Sequence, residues 1–140
     1  MSGSTLQGGC LCGAVRFEAT SPFRRMVHCH CSRCRRSTGT GHATNIAVDS
    51  GQFAWLSGES SISRFDLPGA ERFGKWFCSH CGCPLPRRSR DGSFVMIPAG
   101  SLDTAPPILP GDHIFWGSRV EWGCPSGGIP THDTYPESWG

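Results

Sequence analysis

Two short cysteine motifs, Cys10-Leu11-Cys12-Gly13 and Cys78-Ser79-His80-Cys81-Gly82, determine how this chain folds. Each motif places two thiols one or two residues apart, so both sulfurs can bind one metal ion at little cost in loop-closure entropy. Each motif also ends on a glycine, which permits the positive φ of a tight turn around a metal. Together the four thiols would complete a closed tetrahedron of the structural kind. We therefore predict a structural metal site that joins an N-terminal loop to a distant hairpin, with the ligands Cys10, Cys12, Cys78 and Cys81.

A third motif, Cys29-His30-Cys31-Ser32-Arg33-Cys34, offers three thiols in six residues. Three protein ligands with an exchangeable fourth position are typical of catalytic zinc. We therefore expect Cys29, Cys31 and Cys34 to form an open site that binds substrate. Zinc with three thiolates is a poor Lewis acid for water but can capture a thiol as its thiolate, which indicates a sulfur substrate. A fourth protein ligand would instead close the site and make it structural, and the candidates are His28, His30, Cys83 and Cys124.

Several residues near the third motif are candidates for ligand binding. Arg33, Arg35 and Arg36 could offset the negative charge of the metal cluster or hold a carboxylate of the ligand, although they could equally face water. The segment Thr38–Ala43, with two glycines that allow close approach, could line the pocket or be only a turn. Elsewhere Arg24-Arg25 and Arg87-Arg88 with Arg90 could hold an anion, but solvated surface charge is the simpler interpretation.

Composition restricts the class of protein. The chain has 140 residues, nine cysteines and a net charge of +2. The odd cysteine count, and an N-terminus without a basic and then an apolar segment, favour metal binding in the cytoplasm over a secreted disulfide framework. There is no apolar run of about eighteen residues, so no membrane span is expected. The small net charge gives little support to nucleic-acid binding, and a small-molecule partner is expected.

The sequence between the motifs predicts a mainly β fold in one domain, residues 1–140. Its 19 glycines and 11 prolines recur too often for long helices, and apolar residues tend to alternate. One or two helical turns are predicted over Ser32–Thr38. The tryptophans at 55, 76, 116 and 122 are assigned to core or half-buried packing. The predicted strands are Ala14–Ala19, Ala43–Val48, Phe53–Leu56, Ser61–Leu67, Arg72–Phe77, Phe94–Ala99 and His113–Trp122.

The ordered set of cysteine motifs resembles the glutathione-dependent formaldehyde-activating enzyme family. The resemblance is carried by residues 9–16, 29–36 and 77–82, with later similarity at residues 99–103 and 113–115, and it spans about residues 7 to 136. It implies an Mss4-like zinc-stapled β-sheet domain with two zinc ions. The structural zinc would lie on Cys10, Cys12, Cys78 and Cys81, and the second, catalytic-type zinc on Cys29, Cys31 and Cys34. The chain departs from the family pattern at Cys83, where a small residue such as serine is common, and this extra thiol could compete for metal.

The resemblance also implies a reaction, carried out by a carbon-sulfur lyase. Glutathione would add to formaldehyde to give S-hydroxymethylglutathione, or the adduct would revert. Zinc would hold the thiol as its thiolate while the pocket places the aldehyde within attack distance, so proximity supplies most of the acceleration. A proton must reach the hemithioacetal oxygen, and His30, Ser32 or His42 could deliver it, although a histidine near cysteines is more often a structural hydrogen-bonding group.

Two other functions remain open at the level of sequence. The chain could be a non-catalytic zinc-scaffolded binding protein, since one fold can serve several functions. It could also be a family enzyme that acts on a different thiol adduct. Arg16, Asp103 and Arg119 could stabilise the fold or contact a ligand. An exposed sheet edge would also allow a homodimer.

Overall fold

Most of the regular structure in the computed structural model, which describes residues 4–124 and 127–139, is β. The prediction of a mainly β fold is confirmed. No helix of the described residues has the length and apolar character that a membrane crossing requires. The strands are β1 (Thr5–Gly9), β2 (Arg16–Thr20), β3 (Phe23–Cys29), β4 (Ala43–Asp49), β5 (Phe53–Ser57), β6 (Ile62–Asp66), β7 (Gly74–Cys78), β8 (Arg87–Arg88), β9 (Phe94–Pro98) and β10 (Asp112–Ile114). The helices are α1 (Ser32–Thr38) and the 3-10 turns Ser50–Gln52, Glu59–Ser61, Ala99–Ser101, Trp116–Ser118, Glu121–Gly123 and Glu137–Trp139.

The described strands form three sheets. The first has the order β1-β2-β5, the second has the order β10-β3-β4-β9-β8, and β6 pairs with β7 in the third. Every pairing is antiparallel except that of β10, which lies parallel to β3 and places His113 opposite His28 and Ile114 opposite Cys29. This parallel pairing brings a late segment of the chain to the start of the third cysteine motif.

The main core lies between the inner faces of the first two sheets. Alternate residues of β2 and β9 are buried, as the period of two in a strand requires when one face packs inward. Each of the large apolar side chains there contributes about 1.5–3 kcal/mol by leaving water. The buried members are Phe17, Ala19, Ile46, Val48, Phe53, Val95 and Ile97. A smaller cluster of Cys10, Val15, Cys78 and Leu85 surrounds the first two cysteine motifs.

Helix α1 begins and ends where local chemistry dictates. Cys31 is its N-cap, and its Sγ accepts a hydrogen bond of 3.3 Å from the backbone N–H of Cys34. Gly39 ends the helix with a positive φ of 73°, and its N–H donates to the carbonyl of Arg35 at 2.7 Å. The predicted helical turns over Ser32–Thr38 are thus confirmed. One of the three sulfurs therefore lies before the helix, one caps it and one lies within its first turn.

The structure corrects the sequence prediction in several places. The predicted strand His113–Trp122 is wrong, because only Asp112–Ile114 is extended and the chain then turns at Phe115, whose φ is 54°. Trp122 is 71% exposed, so its assignment to packing is also wrong. Three strands were not predicted, namely Thr5–Gly9, Phe23–Cys29 and Arg87–Arg88.

Gly58 follows β5 directly and packs against the backbone of Ala14, just after the turn that carries Cys10 and Cys12. It has a φ of 76°, and a Cβ there would lie 2.0 Å from the carbonyl oxygen of Ala14. Gly69 has a similar φ of 81° with open space around it. We expect Gly58→Ala to lower the free energy of unfolding by about 2–4 kcal/mol and Gly69→Ala by about 1–2 kcal/mol, since only the first adds a backbone clash to the cost of positive φ. Urea denaturation measures both, and equal losses would contradict the role of the contact.

Candidate metal centres

The first two cysteine motifs meet in space. Four sulfur atoms lie within 4.8 Å of one another, those of Cys10, Cys12, Cys78 and Cys81. The Sγ atoms of Cys10 and Cys12 are 3.6 Å apart, and those of Cys12 and Cys78 are 3.8 Å apart. Tetrahedral zinc with bonds of about 2.3 Å to sulfur separates its ligand atoms by about 3.8 Å. The four thiols can therefore hold one tetrahedral metal ion with little movement.

Each of these motifs folds into the same kind of turn. The N–H of Gly13 donates to the carbonyl of Cys10 at 3.1 Å, and the N–H of Gly82 donates to that of Cys78 at 2.8 Å. Both glycines have positive φ, 81° and 73° respectively. This conformation suits glycine because it has no Cβ. The sequence pattern and the observed turns agree.

Backbone N–H groups donate hydrogen bonds to several of these sulfurs. The N–H of Val15 donates to Sγ of Cys10 at 3.3 Å, and the N–H of His80 donates to Sγ of Cys78 at 3.4 Å. Hydrogen bonds from the backbone of Cys12 and Cys83 lower the pKa of Cys81 to about 6. Thiolates are the forms that bind metal. The effect is uneven within the group, because the backbone hydrogen bond from Ala14 that lowers the pKa of Cys12 is outweighed by hydrogen bonds with Cys10 and the other thiols, which together raise that pKa to about 11.

The third motif gathers its own three sulfurs. Cys29 ends β3, Cys31 caps α1 and Cys34 lies in the first turn of that helix, and their sulfurs lie within 4.8 Å of one another. The hydrogen bond from the Cys34 thiol lowers the pKa of Cys29 to about 6, and the same bond raises the pKa of Cys34. Without metal, the buried Cys29 thiol therefore ionises before that of Cys34.

The candidates for a fourth ligand lie elsewhere. Within residues 4–124 and 127–139, no other cysteine, histidine or carboxylate joins these three sulfurs at metal-ligand spacing. Cys83 packs against the smaller apolar cluster around Cys10 and Cys78. Cys124 groups with His30 and His113 instead. This arrangement favours a site with three protein ligands and an open position.

A cavity of about 130 Å³ opens beside Cys34. Two basic residues from separate strands line it, Lys75 of β7 and Arg87 of β8. Lys75 donates from Nζ to the carbonyl of Ser37, and Arg87 donates to the carbonyl of Arg72 at 3.0 Å, so each retains further N–H donors. Burial lowers the pKa of Arg87. The cavity therefore combines one cysteine of the three-sulfur group with two cations that can bind carboxylates.

Thr44 connects this cavity to a cluster of histidines. It lines the cavity, and its hydroxyl lies 2.7 Å from Nδ1 of His28 and 3.3 Å from Nδ1 of His42. Burial lowers the pKa of both His28 and His30, and neighbouring histidines add to the effect, so these rings are neutral near pH 7. Among the described residues no histidine lines the cavity, whereas Cys34, Thr44, Lys75 and Arg87 do.

The residues predicted as proton donors, and the segment Thr38–Ala43, differ in whether they reach the cavity. His30 is fully buried, Ser32 is exposed, and His42 reaches the cavity only through Thr44. Of the segment Thr38–Ala43, its two end residues line the cavity, whereas Gly41 packs against Gly123. Sequence reasoning did not select Thr44 or Lys75. It noted Arg87 only as one member of an arginine cluster.

The remaining charged candidates are placed as follows. Arg16 forms a bidentate ion pair with Asp103, with N–O distances of 3.1 and 2.5 Å, and so connects β2 to the segment after β9. Arg119 stacks on the ring of Trp116 at 4.4 Å. Arg33 and Arg36, beside the third motif, are exposed, whereas the Nε of Arg35 is buried. Arg16 and Asp103 therefore act within the fold.

Comparison with known proteins agrees with this architecture. A curated protein from Halomonas elongata, named "Putative glutathione-dependent formaldehyde-activating enzyme", is 38% identical over 87 residues, which cover 57% of this chain and 54% of that protein. The chain thus spans about half the length of this curated relative. A crystal structure of a Rhodobacter sphaeroides protein has the same fold, with a TM-score of 0.59 at 21% identity over 76% of this chain and 98% of the other.

The family comparison covers most of the chain. The model described as "Glutathione-dependent formaldehyde-activating enzyme" matches residues 5–118, which include the three clustered cysteine motifs, the cavity and β10. On this match, the chain belongs to the glutathione-dependent formaldehyde-activating enzyme family.

Proposed function

We propose that this chain is a zinc-dependent carbon-sulfur lyase that forms S-hydroxymethylglutathione from glutathione and formaldehyde and also catalyses the reverse reaction. One observation carries the proposal: Cys34, a member of the three-sulfur group with Cys29 and Cys31, lines a cavity that Lys75 and Arg87 also line. A thiol that carries carboxylates matches this combination of a soft metal site and two cations. Glutathione is such a thiol.

Two zinc ions per chain fit the donor sets. Cys10, Cys12, Cys78 and Cys81 would hold the structural ion, and Cys29, Cys31 and Cys34 would hold the second. When bound at an open three-thiolate site, zinc lowers the pKa of an incoming thiol. The first set offers four sulfurs and the second set three, as a closed and an open tetrahedron require.

The residues of the cavity have separate roles in the proposed reaction. Lys75 and Arg87 bind the carboxylates of glutathione and direct its thiol towards Cys34. The thiolate sulfur then forms a bond to the carbonyl carbon of formaldehyde, and the electron pair of the broken C–O π bond moves to the oxygen. Thr44, hydrogen-bonded to His28 and His42, relays to that oxygen the proton that the glutathione thiol gives up when it becomes a thiolate. Holding both reactants in one small cavity supplies most of the acceleration.

We expect Arg87→Gln to raise the KM for glutathione by about 10-fold or more, because a hydrogen bond to a charged group contributes about 1.5–3 kcal/mol. The rate can be followed by NMR exchange between formaldehyde, thiol and adduct with the zinc-loaded protein. The matched control is Arg88→Gln, since Arg88 neighbours Arg87 but does not line the cavity. With 2-mercaptoethanol, which has no carboxylate, Arg87→Gln should leave the KM unchanged.

Two results would count against these assignments. If the zinc-loaded wild-type protein gives no acceleration of the exchange over the protein-free reaction, the proposed activity is wrong. If Arg87→Gln weakens both thiols equally, the activity stands but the role of Arg87 as a carboxylate ligand is wrong.

A further inference from the structure

A third group of metal-binding side chains lies outside both cysteine sites. It consists of His30, His113 and Cys124, and a ring nitrogen of each histidine lies with the cysteine sulfur inside a span of 4.8 Å. Nε2 of His30 is 2.8 Å from Nδ1 of His113. His30 is fully buried, and its Nδ1 has no hydrogen-bond partner among the described residues. Burying a polar atom without a partner costs about 1–3 kcal/mol of folding free energy, and a ligand bound at this ring would remove that cost.

The fold holds the two histidines together by a backbone pairing. Strand β10 lies parallel to β3, and the N–H of His30 continues this ladder by donating to the carbonyl of Ile114 at 2.9 Å. This pairing therefore fixes His30 beside His113, the residue before Ile114. The ring centroids of His30 and His113 are 5.0 Å apart, and both lie about as close to the ring of Trp116, at 5.0 and 4.9 Å.

A close backbone contact holds the third member. A Cβ on Gly41 would lie 2.4 Å from Cα of Gly123, so this approach requires glycine at position 41, and a Cβ on Gly123 would lie 3.3 Å from Cα of Gly41. Cys124 follows Gly123 directly and is thereby held against the loop after α1. The turns Trp116–Ser118 and Glu121–Gly123 return the chain from β10 to this point. The three ligands come from separate segments that these contacts lock together.

The donor set selects a class of metal. Two imidazole nitrogens and one thiolate suit zinc and similar borderline divalent cations, whereas magnesium and calcium prefer oxygen. In tetrahedral zinc, neighbouring nitrogen and sulfur ligands are separated by about 3.3–3.8 Å. Nε2 of His30 and Nδ1 of His113 lie 2.8 Å apart, slightly closer than this, and the sulfur of Cys124 lies within 4.8 Å of a ring nitrogen of each histidine, so small rotations of the side chains suffice. His113 is exposed and Cys124 is half-buried, which gives an ion a path into the group.

We propose that His30, His113 and Cys124 form a third metal site, which takes zinc or another divalent cation that prefers nitrogen and sulfur ligands. The site does not depend on the proposed enzyme activity. It also separates Cys124 from the three-sulfur group, for which it was a candidate ligand.

Zinc-edge X-ray absorption of the zinc-loaded full chain tests this proposal, because imidazole produces a scattering signature that thiolates do not. The two cysteine groups contain no histidine, so imidazole scattering reports the third site alone. We expect this signature in the wild type, and we expect Cys124→Ser and His113→Ala to bind one equivalent of zinc fewer. The matched control is His132→Ala, which removes an exposed histidine outside every candidate metal group and should change neither measurement.

Two further variants separate the outcomes. His113→Cys should keep the metal content while sulfur scattering replaces part of the imidazole signal, which a merely unfolded protein would not do. Cys34→Ala should retain the imidazole signal, so failure of the enzyme proposal can be distinguished from failure of this one. Wild-type protein with sulfur ligation only, or unchanged zinc content in both Cys124→Ser and His113→Ala, would overturn the third site.

Discussion

Replacement of Cys78 by alanine is expected to prevent stable folding of the whole chain. Cys78 is fully buried, and its sulfur belongs to the four-thiol group that joins the N-terminal loop to β7. Structural zinc contributes about 10–16 kcal/mol of apparent binding free energy to folding, whereas a typical domain has a net stability of about 5–15 kcal/mol. Loss of one anchor thiolate therefore removes an amount comparable to the total stability.

Circular dichroism and urea denaturation of zinc-loaded protein measure this effect. Cys83→Ala is the matched control, because Cys83 packs on the same apolar cluster but lies outside the four-thiol group. We expect this control to cost at most about 1–2 kcal/mol, since it removes only a small, partly buried side chain. A Cys78→Ala protein as stable as Cys83→Ala would show that no metal bound to Cys78 stabilises the fold.

Replacement of Cys34 by alanine is expected to abolish turnover and leave the chain folded. Cys34 lies on α1 at the wall of the cavity, and the main apolar core is formed by other elements. Two sulfurs remain in the three-sulfur group, which are too few to hold zinc for catalysis. We expect the rate of adduct exchange to fall by about 100-fold or more, because the positioned thiolate provides most of the acceleration.

The measurement combines NMR exchange with zinc analysis on the same sample. One equivalent of zinc fewer, an unchanged far-ultraviolet circular dichroism spectrum and a lost rate are expected together. The Cys83→Ala variant again serves as the control and should keep its rate. If Cys34→Ala destabilised the chain as much as Cys78→Ala, the division into a structural and a catalytic-type group would be wrong.

The features that were predictable from the sequence are local ones. The two glycine-terminated turns follow from the spacing of the cysteines and from the positive φ that glycine permits. Helix α1 was predicted over its observed range, and its ends are set by neighbours in the chain, the cap at Cys31 and the reversal at Gly39. Strands β4, β5 and β9 were close to their observed bounds, because turn residues such as Ser50-Gly51 bound the apolar stretches. In β9 the buried residues also alternate along the strand.

Features that depend on distant contacts were missed. Strand β3 contains Arg24-Arg25, which interrupts its apolar alternation, yet pairing with β4 along the strand and with β10 from Val27 onwards keeps it extended. Strand β10 ends because Phe115 adopts a left-handed conformation, which residue preferences do not predict for a bulky side chain. Lys75 and Arg87 meet only through the packing of β7 and β8 around the cavity. The separation of these two residues in the sequence does not predict that they line the same cavity.

Two long-range contacts, the four-thiol group and the parallel pairing of β10 with β3, can form only late in synthesis of the chain. Cys10 and Cys12 leave the ribosome long before Cys78 and Cys81, with which they share a site. The partner of β3 along its outer edge arrives later still, at Asp112–Ile114. Because such long-range contacts must wait for the chain to be made, the early thiols spend most of translation without their partners. A metal that needs all four thiols can therefore bind only after Cys81 has been made, and until then the early cysteines of the nascent chain are open to competing metals and oxidants.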